Sequence, residues 1–417
     1  MKILWIAFVW PESTSSAAGV RTVQLISICR ESGHEVRVCS PCQDNRYRAA
    51  LEIEGIATKI LPPNDPAFDG YVRDYSPDIV FFDRFIMEEQ FGWRVREQCP
   101  EALRILDTID LHSLRRIRQA KVMRGEDPLL LTDTDLSSGD ALREIAAIYR
   151  SDLSLIISGI EAALLRSRYK IPDELIVQCG LSYALPANVL NFEPRRNFAV
   201  IGNFNHPPNA DSVRLLNDHL WLRIRKACER ISGETPELHI YGAYPSPAIL
   251  ALDDLASGFR VRGWTEDVQE TLVQYRVNLA PLRFGAGLKG KIADGWRAGT
   301  PCIATSIAAE GMHDGLPFGG GIADDWEEYA ALAAELYSNR TSWEQAQQKS
   351  LQIIETLFSE RSQAPAFSRA IDRLVSEREE RRQRNFTGAM LWAQGNRSTE
   401  YFSRWIEEKN RKPGAKE

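Results

Sequence analysis

Short apolar runs alternate with amphipathic stretches along most of the chain. Apolar runs of about four to eight residues that are separated by helical stretches are typical of buried strands in a parallel sheet. In the first half of the chain this pattern predicts strands at residues 3–9, 35–39, 58–61, 79–82, 103–106, 153–157 and 175–178. The alternation of strands and helices therefore predicts a Rossmann-like α/β domain.

The same pattern starts again in the second half. It predicts strands at residues 198–201, 238–241, 260–261, 277–280, 302–305 and 321–323, followed by helices. Between the halves, residues 185–197 contain prolines and asparagines and show no periodicity, which indicates a linker. We predict an N-terminal Rossmann-like domain at 1–190, a C-terminal Rossmann-like domain at 191–362, and C-terminal helices at 363–417 that return to the N-terminal domain.

Composition narrows the class of protein without identifying it. A chain of 417 residues with 44% hydrophobic and 26% charged residues suits a two-domain globular protein. The net charge of −6 lacks the basic signature of a nucleic-acid binder. Seven cysteines, an odd number, indicate reduced thiols, and no apolar run reaches the roughly 18 residues of a membrane span. These features predict a cytoplasmic protein with no nucleic-acid partner.

A glycine-rich loop at residues 281–289 carries the clearest chemistry. It connects the predicted strand 277–280 to a predicted helix at 291–298, and a turn of this kind presents backbone N–H groups at the positive end of a helix dipole. Lys289 and Lys291 add positive charge, and Arg283 adds a guanidinium group. Asp294 follows Lys291 by about one helical turn, where its carboxylate can accept hydrogen bonds from a ribose. We predict a diphosphate and ribose site; the alternative is a loop that only turns the chain.

Two common phosphate-binding signatures are missing from the sequence. The first predicted strand is followed by residues 11–19, which lack the GxGxxG pattern of dinucleotide-binding enzymes, and no GxxxxGK[ST] pattern occurs. The glycine-rich loop is therefore neither a dehydrogenase fingerprint nor a P-loop.

Three motifs together resemble the donor-binding region of GT-B glycosyltransferases, in particular the large retaining family 4. They are the glycine- and lysine-rich stretch 285–294, the tripeptide Gly299-Thr300-Pro301, and the segment AAEGM at 308–312. The resemblance extends over about residues 1–360 and is strongest at 198–312. It implies two Rossmann-like domains that face each other across a cleft. It also implies metal-independent sugar transfer from a nucleotide diphosphate, with no bound cofactor.

The resemblance also assigns roles to individual residues. It implies that His112 contacts the donor sugar and acts in catalysis with Lys291, that Trp264 covers the nucleobase, and that Gly19 lies in a loop that faces the substrates. Packing alone, or helix capping near Gly19, is the alternative for each of these three. The residues that it implies for donor binding are Gly19, Arg21, Asn205, Trp264, Arg283, Gly285, Ala286, Gly287, Leu288, Lys289, Lys291 and Asp294.

One departure from the family pattern concerns the donor sugar. Family members carry two glutamates eight residues apart, of which the first contacts the sugar and the second the ribose. Asp294 matches the second position, and Ala286 stands at the first. The ribose contact is therefore expected to remain, and the sugar must be recognised by other residues.

The partners follow from the same resemblance. It implies a UDP- or GDP-linked sugar donor, a glycan, lipid-linked or protein acceptor, and a role in polysaccharide biosynthesis. Residues 112–124 contain five lysines and arginines and no acid, so they form either a membrane-contacting helix or, as we favour, a solvated or cleft-lining face. Asp133-Thr134-Asp135 is a DxD that we do not expect to bind metal. The alternatives to a transferase are a nucleotide-sugar epimerase or phosphorylase-like enzyme, and a non-catalytic sugar-nucleotide sensor.

Overall fold

A computed structural model describes residues 1–186, 188–394 and 397–410. Its N-terminal sheet has seven parallel strands in the order β3-β2-β1-β4-β5-β6-β7. The strands are β1 (Lys2–Ile6), β2 (Glu35–Ser40), β3 (Ala57–Ile60), β4 (Ile79–Asp83), β5 (Leu103–Asp107), β6 (Leu153–Ile156) and β7 (Ile176–Gln178). The helices are α1 (Ala17–Glu31), α2 (Arg46–Ile53), α3 (Ala67–Tyr75), α4 (Arg84–Gln98), α5 (His112–Met123), α6 (Gly139–Arg150) and α7 (Gly159–Ser167).

The second sheet has six parallel strands in the order β10-β9-β8-β11-β12-β13. The strands are β8 (Arg196–Ile201), β9 (Leu238–Tyr241), β10 (Phe259–Gly263), β11 (Tyr275–Ala280), β12 (Cys302–Ala304) and β13 (Gly320–Ile322). The helices are α8 (Pro207–Leu215), α9 (Trp221–Ser232), α10 (Pro247–Leu250), α11 (Val268–Leu272), α12 (Gly290–Arg297), α13 (Ser306–Ala309), α14 (Trp326–Ser338) and α15 (Arg340–Leu357). The predicted α/β class with two parallel-sheet domains is confirmed.

Strand β1 ends earlier than the apolar run predicted. The run continues to Val9, but the strand stops at Ile6. The reason is a change of hydrogen-bond partner, because the N–H of Phe8 donates to the Asp83 carboxylate at 2.9 Å instead of continuing the ladder. The apolar residues after Ile6 therefore belong to the loop that leads to α1.

The remaining helices return to the N-terminal domain. They are α16 (Glu360–Ser376), α17 (Arg378–Arg384), α18 (Phe386–Gln394) and α19 (Arg397–Asn410). Phe367 of α16 packs on Phe81, which itself stacks on Trp5 with ring centroids 4.3 Å apart. Trp392 of α18 donates to the Arg150 carbonyl at 2.9 Å. These helices bury apolar surface of the first domain after the chain has completed the second.

The chain passes from the first domain to the second after β7 and returns after α15, and hydrogen bonds join these two passages. Tyr183, after β7, donates its N–H to the carbonyl of Phe358 at 2.7 Å, and Glu360 donates to the carbonyl of Tyr183 at 3.1 Å. The loops at the carboxyl ends of both sheets face one another from there, which is where open α/β sheets place ligands. Within the described ranges, no helix is long and apolar enough to cross a membrane.

Candidate functional site

The glycine-rich loop lies between the domains, at the start of helix α12. Strand β11 is buried along its whole length and delivers the loop at the carboxyl edge of its sheet. A Cβ at Gly290 would lie 2.3 Å from the Cβ of Ala17 at the start of α1, so only glycine permits this approach. The N-termini of α1 and α12 therefore meet across the cleft, and both carry positive helix dipoles.

Lys291 and Asp294 occupy the first turns of α12. The Lys291 ammonium donates to Oδ1 of Asn209 at 2.6 Å, and burial lowers the pKa of Lys291 to about 8. Asp294 shares a hydrogen bond with the hydroxyl of Tyr183, and burial raises the pKa of Asp294 to about 6. The predicted pair is thus held by Asn209, which the sequence indicates as a residue that could reach the phosphates or the cleft, and by Tyr183, which the sequence does not single out.

Lys289 lies deeper in the cleft than Lys291. Its side chain is buried and its ammonium donates to the Gly287 carbonyl at 2.7 Å. Its backbone N–H points to the sulfur of Met312 at 3.1 Å, so the glycine-rich stretch packs directly on the AAEGM segment. Burial lowers the pKa of Lys289, and the carboxylate of Glu310 opposes that effect.

An ion pair joins the two domains beside the loop. Arg118 of α5 binds Glu310 through two hydrogen bonds of 2.7 Å, and it also donates to the Gly285 carbonyl at 2.9 Å. A bidentate arginine–carboxylate pair fixes orientation as well as distance. The loop is therefore held against the N-terminal domain by a residue from the basic stretch.

His112 belongs to a charged cluster at the end of β5. Its Nε2 lies 3.2 Å from Asp110, which also receives a 2.7 Å hydrogen bond from Arg115. Burial lowers the pKa of His112 to about 4, although Asp110 acts in the opposite direction. Burial alone would raise the pKa of Asp110, but Arg115 and His112 hold it well below its ordinary value. The imidazole is therefore neutral at neutral pH.

The backbone next to this cluster is strained. Ile109 has a φ of 63°, in the left-handed region, where β-branched residues are rare. Such strain is typical of sites where the surroundings force a loop into one shape. Here the strained turn places Asp110 against Gly287, since a Cβ on that glycine would lie 2.9 Å from the Asp110 Cβ.

The N-terminus of α5 is already occupied by two carboxyl groups. Glu144 of α6 accepts from the N–H groups of His112 at 2.9 Å and Ser113 at 3.2 Å. Glu161 of α7 accepts from Leu111 at 3.0 Å and, across the cleft, from Gly287 at 2.8 Å. This helix therefore offers little to an anion, and α12 is the better-suited terminus.

Trp264 lies at the opposite end of the cleft and bridges the domains. The residue is 41% exposed, its indole N–H donates to the Thr14 carbonyl at 3.1 Å, and the Arg46 guanidinium lies over the ring at 4.7 Å from its centroid. Tyr244 makes a second bridge to the same loop through Glu12, at 3.0 Å. The loop before α1 therefore covers this part of the C-terminal domain.

Several residues predicted for the donor site have partners elsewhere. Arg21 is buried in the N-terminal domain, where it pairs with Asp107 and donates to the Cys179 carbonyl at 3.0 Å. Arg283 pairs with Asp211 of α8. Asn205 is exposed. Their roles in donor binding remain predictions, and only a rearrangement would free the two arginines.

The glycines and small residues of the predicted site are close-packed. A Cβ at Gly19 would lie 2.4 Å from the Glu12 backbone, so this glycine permits the tight turn before α1. Ala286 is buried against apolar residues of the N-terminal domain. Leu288 lines an interdomain cavity together with Ile160 and Gln178. The loop is thus in contact with the first domain along most of its length.

The five cations of the basic stretch each have a carboxylate partner. The pairs are Arg115 with Asp110, Arg116 with Asp140, Arg118 with Glu310, Lys121 with Glu126 and Asp135, and Arg124 with Glu126. Arg118 pairs with a residue of the other domain, so at this position the basic stretch lines the cleft, as the favoured interpretation predicts. In the described part of the chain, the DxD segment included, there is no group of three or more side chains placed to ligate a metal ion.

Comparison with known proteins agrees with this architecture. Residues 195–339 match the family model for glycosyl transferases group 1, and no curated protein sequence matches the chain. Solved structures with the same fold include sucrose-phosphate synthase from Thermosynechococcus elongatus, at 14% identity and a TM-score of 0.60 over 90% of this chain and 99% of that one. HepE from Anabaena, solved with UDP and glucose, has 11% identity and a TM-score of 0.65 over 90% of this chain and 100% of that one.

A third similar structure is a glycosyltransferase from Rickettsia africae. It has 12% identity and a TM-score of 0.61, and the match covers 90% of this chain and 98% of that one. At such identities the likeness shows the fold alone, and the family model covers the domain that carries the glycine-rich loop. The chain therefore has the GT-B glycosyltransferase fold, and residues 195–339 of its C-terminal domain are similar to group 1 glycosyl transferases.

Proposed function

We propose that the protein transfers a sugar from a nucleotide diphosphate donor to an acceptor, with retention of anomeric configuration and without a metal ion. The observation that carries this proposal is the arrangement at the start of α12. There, the Lys291 ammonium and a helix N-terminus lie in the interdomain cleft, one turn before Asp294. An anion with a neighbouring diol matches those groups, and a nucleoside diphosphate is such a ligand.

The donor would lie along the cleft in a defined order. The nucleobase would stack near the half-exposed ring of Trp264. The ribose would bind Asp294, displacing or sharing its hydrogen bond to Tyr183, and the diphosphate would bind at Lys291 and the α12 N-terminus. The sugar would then face Asp110 and His112, whose neutral ring is suited to hydrogen bonding.

The chemical step would be a front-side displacement. The bond from the sugar C1 to the phosphate oxygen breaks, the bond from C1 to the acceptor oxygen forms on the same face, and the acceptor proton passes to the leaving diphosphate. Lys291 and the helix dipole would stabilise the negative charge that grows on the diphosphate, the kind of preorganised effect that contributes most in enzymes. The Asp110 carboxylate is committed to Arg115 and His112, which argues against its use as a nucleophile.

A ligand panel followed by turnover tests the proposal. Thermal unfolding is measured with UDP, GDP and ADP and with their sugars, because a bound ligand raises apparent stability by RT ln(1 + [L]/Kd). UDP-glucose is the first donor to test, given the likeness to a structure solved with UDP and glucose. Donors that stabilise the protein are then incubated with glycan, lipid-linked and peptide acceptors, and released nucleotide and product configuration are followed by NMR.

The outcomes separate the alternatives. Release of nucleoside diphosphate together with an α-linked product from an α-linked donor supports a retaining transferase. Conversion of the donor sugar in the absence of any acceptor would instead establish an epimerase. Stabilisation by donors with no turnover across the acceptor panel would favour a sensor, and an inverted product would contradict the proposed stereochemistry.

A further inference from the structure

Glu161 is a buried carboxyl group in which one oxygen carries all of the hydrogen bonds. The side chain lies in the first turn of α7 and the residue is 2% exposed. Its Oε1 accepts from Leu111 of its own domain and from Gly287 of the glycine-rich loop. Its Oε2 is buried and has no hydrogen-bond partner. Leaving a buried polar atom unpaired costs about 1–3 kcal/mol, so such an atom indicates a missing partner.

A second buried carboxyl group shows what full pairing looks like here. Glu144 lies in the same region and is also 2% exposed. Its Oε1 accepts from His112, and its Oε2 accepts from the backbone and the hydroxyl of Ser113. Both groups hold the start of α5, yet only Glu161 reaches the donor loop and keeps one oxygen free. Its unpaired atom is therefore not a general feature of how this helix is capped.

The surroundings favour the protonated form of Glu161. No lysine or arginine of the described ranges forms an ion pair with it within 4.0 Å, and the groups that face it are Asp110, Arg115 and Lys289. Burial raises its pKa well above the ordinary value, and the nearby negative charge of Asp110 adds to that effect. Because Oε1 already accepts two N–H groups, the proton belongs on Oε2.

The proton on Oε2 lies close to the glycine-rich loop, where the donor would bind. Oε2 belongs to a side chain that contacts Gly287, next to Ala286, and Asp110 of the His112 cluster also lies against this glycine. Lys291 and the α12 N-terminus account for the diphosphate, so the remaining oxygen atoms of a donor at this point are those of its sugar. We propose that Glu161 recognises the donor sugar by donating a hydrogen bond from Oε2 to a sugar oxygen.

This inference rests on the proposed function and deepens it. It assigns the recognition of the sugar to the N-terminal domain. The sugar can therefore form this hydrogen bond only when the two domains are closed around it. A buried hydrogen-bond donor is left unpaired when the substrate lacks the oxygen that should accept from it. Sites of this kind therefore reject substrates that lack one hydroxyl. The donor sugar should therefore need an oxygen at the ring position that faces Glu161.

Two matched variants test the proposal. Glu161→Gln keeps the shape, the acceptor oxygen for both N–H groups and an N–H donor in place of the O–H. Glu161→Met keeps the volume and removes all hydrogen bonding. We expect Glu161→Gln to hold kcat/KM for the donor within about threefold of wild type and Glu161→Met to lower it roughly 10- to 100-fold, as the loss of a buried hydrogen bond predicts. Affinity for the free nucleoside diphosphate should stay within about twofold in both.

The pH profile adds a readout that a purely structural role would not change. The wild-type kcat/KM should fall on the alkaline side as Glu161 loses its proton, and Glu161→Gln should lack that fall. Equal activity of Glu161→Met and wild type would overturn the proposal. So would a Glu161→Gln variant as impaired as Glu161→Met, since the carboxylate would then act as an acceptor. If Glu161→Met lost affinity for the free nucleoside diphosphate as strongly as it lost kcat/KM, Glu161 would contact the phosphate and not the sugar, and the proposal would also be overturned. A wild-type protein that releases no nucleotide would instead contradict the proposed function.

Discussion

The ammonium of Lys291 lies 2.6 Å from the amide oxygen of Asn209, and this contact joins the first turns of α12 and α8. The amide nitrogen of Asn209 in turn donates to the Asn203 carbonyl at 2.8 Å. The lysine is therefore aimed by a neutral group rather than neutralised by a carboxylate. Its charge is available to a ligand, and its position does not depend on that ligand.

Replacing Lys291 should slow turnover without unfolding the protein. Because its charge would stabilise the leaving diphosphate, Lys291→Met should lower kcat by roughly 10²–10³ at saturating donor, the scale seen when one such group is removed. The measurement is nucleotide release under steady-state conditions. Lys59→Met, at an exposed lysine of β3, is the control and should keep wild-type turnover. Unchanged kcat in Lys291→Met would contradict the role of this lysine.

Asp294 should discriminate between ribose and deoxyribose. Wild-type protein should use a 2′-deoxy donor roughly tenfold less well, because a buried carboxylate would lose a hydrogen bond of about 1.5–3 kcal/mol. In Asp294→Ala the two donors should be used about equally, although both poorly. Tyr183→Phe removes only the hydroxyl that binds Asp294 and should keep the preference for ribose. A preference that survives in Asp294→Ala would place the ribose elsewhere.

Trp264 should contribute to donor affinity and not to the chemical step. Stacking of a base on an aromatic ring is worth about 1–3 kcal/mol, so Trp264→Ala should raise the donor KM on the order of tenfold and leave kcat nearly unchanged. Trp264→Phe keeps a ring and loses the hydrogen bond to Thr14, and it should show a smaller increase. Trp405, an exposed tryptophan of α19, is the control site. A fall in kcat with constant KM would rule out the stacking role.

The pair Arg118–Glu310 should hold the two domains together. Removing one member of a largely buried pair leaves the other charge unpaired and costs about 3–5 kcal/mol. Arg118→Met and Glu310→Gln should each lower the unfolding midpoint, and the double variant should be less destabilised than the sum of the two. The surface pair Arg143–Glu89, where the arginine side chain is 50% exposed, is the matched control and should matter by less than about 1 kcal/mol. Strictly additive effects would show that Arg118 and Glu310 have no coupling energy.

Glu144 should make stability depend on pH. Burial raises its pKa from 4.5 to about 7, so the folded protein favours the protonated form. Its contribution is complete below about pH 4.5 and is lost as the pH rises through about 7, an effect on the order of 3 kcal/mol. Urea unfolding of wild type and Glu144→Gln between pH 4 and 8 measures this as a difference that changes with pH. A difference that stays constant over that range would contradict the assignment.

Much of the fold could be predicted because the pattern of apolar residues is local. A strand that is buried on both faces must be apolar along its length, as β4 and β11 are, and such runs are visible without a structure. The errors lie at element ends, as at Ile6, where a side chain from another strand replaced the ladder. Lys289, Lys291 and Asp294 could be grouped for the same reason, since they share one loop and one helix.

The sequence by itself therefore determined the two parallel-sheet domains, the glycine-rich loop and the spacing of its charged residues. Only the tertiary structure decided which partners those residues meet. Four residues reach the loop and helix α12 from segments about 80 to 170 positions away, which no local spacing can reveal: Tyr183, Asn209, Glu161 and Arg118. Arg21 likewise points into the N-terminal domain and pairs with Asp107. A buried charge requires an opposite charge within reach, and the packing of the sheet decides which residue supplies it.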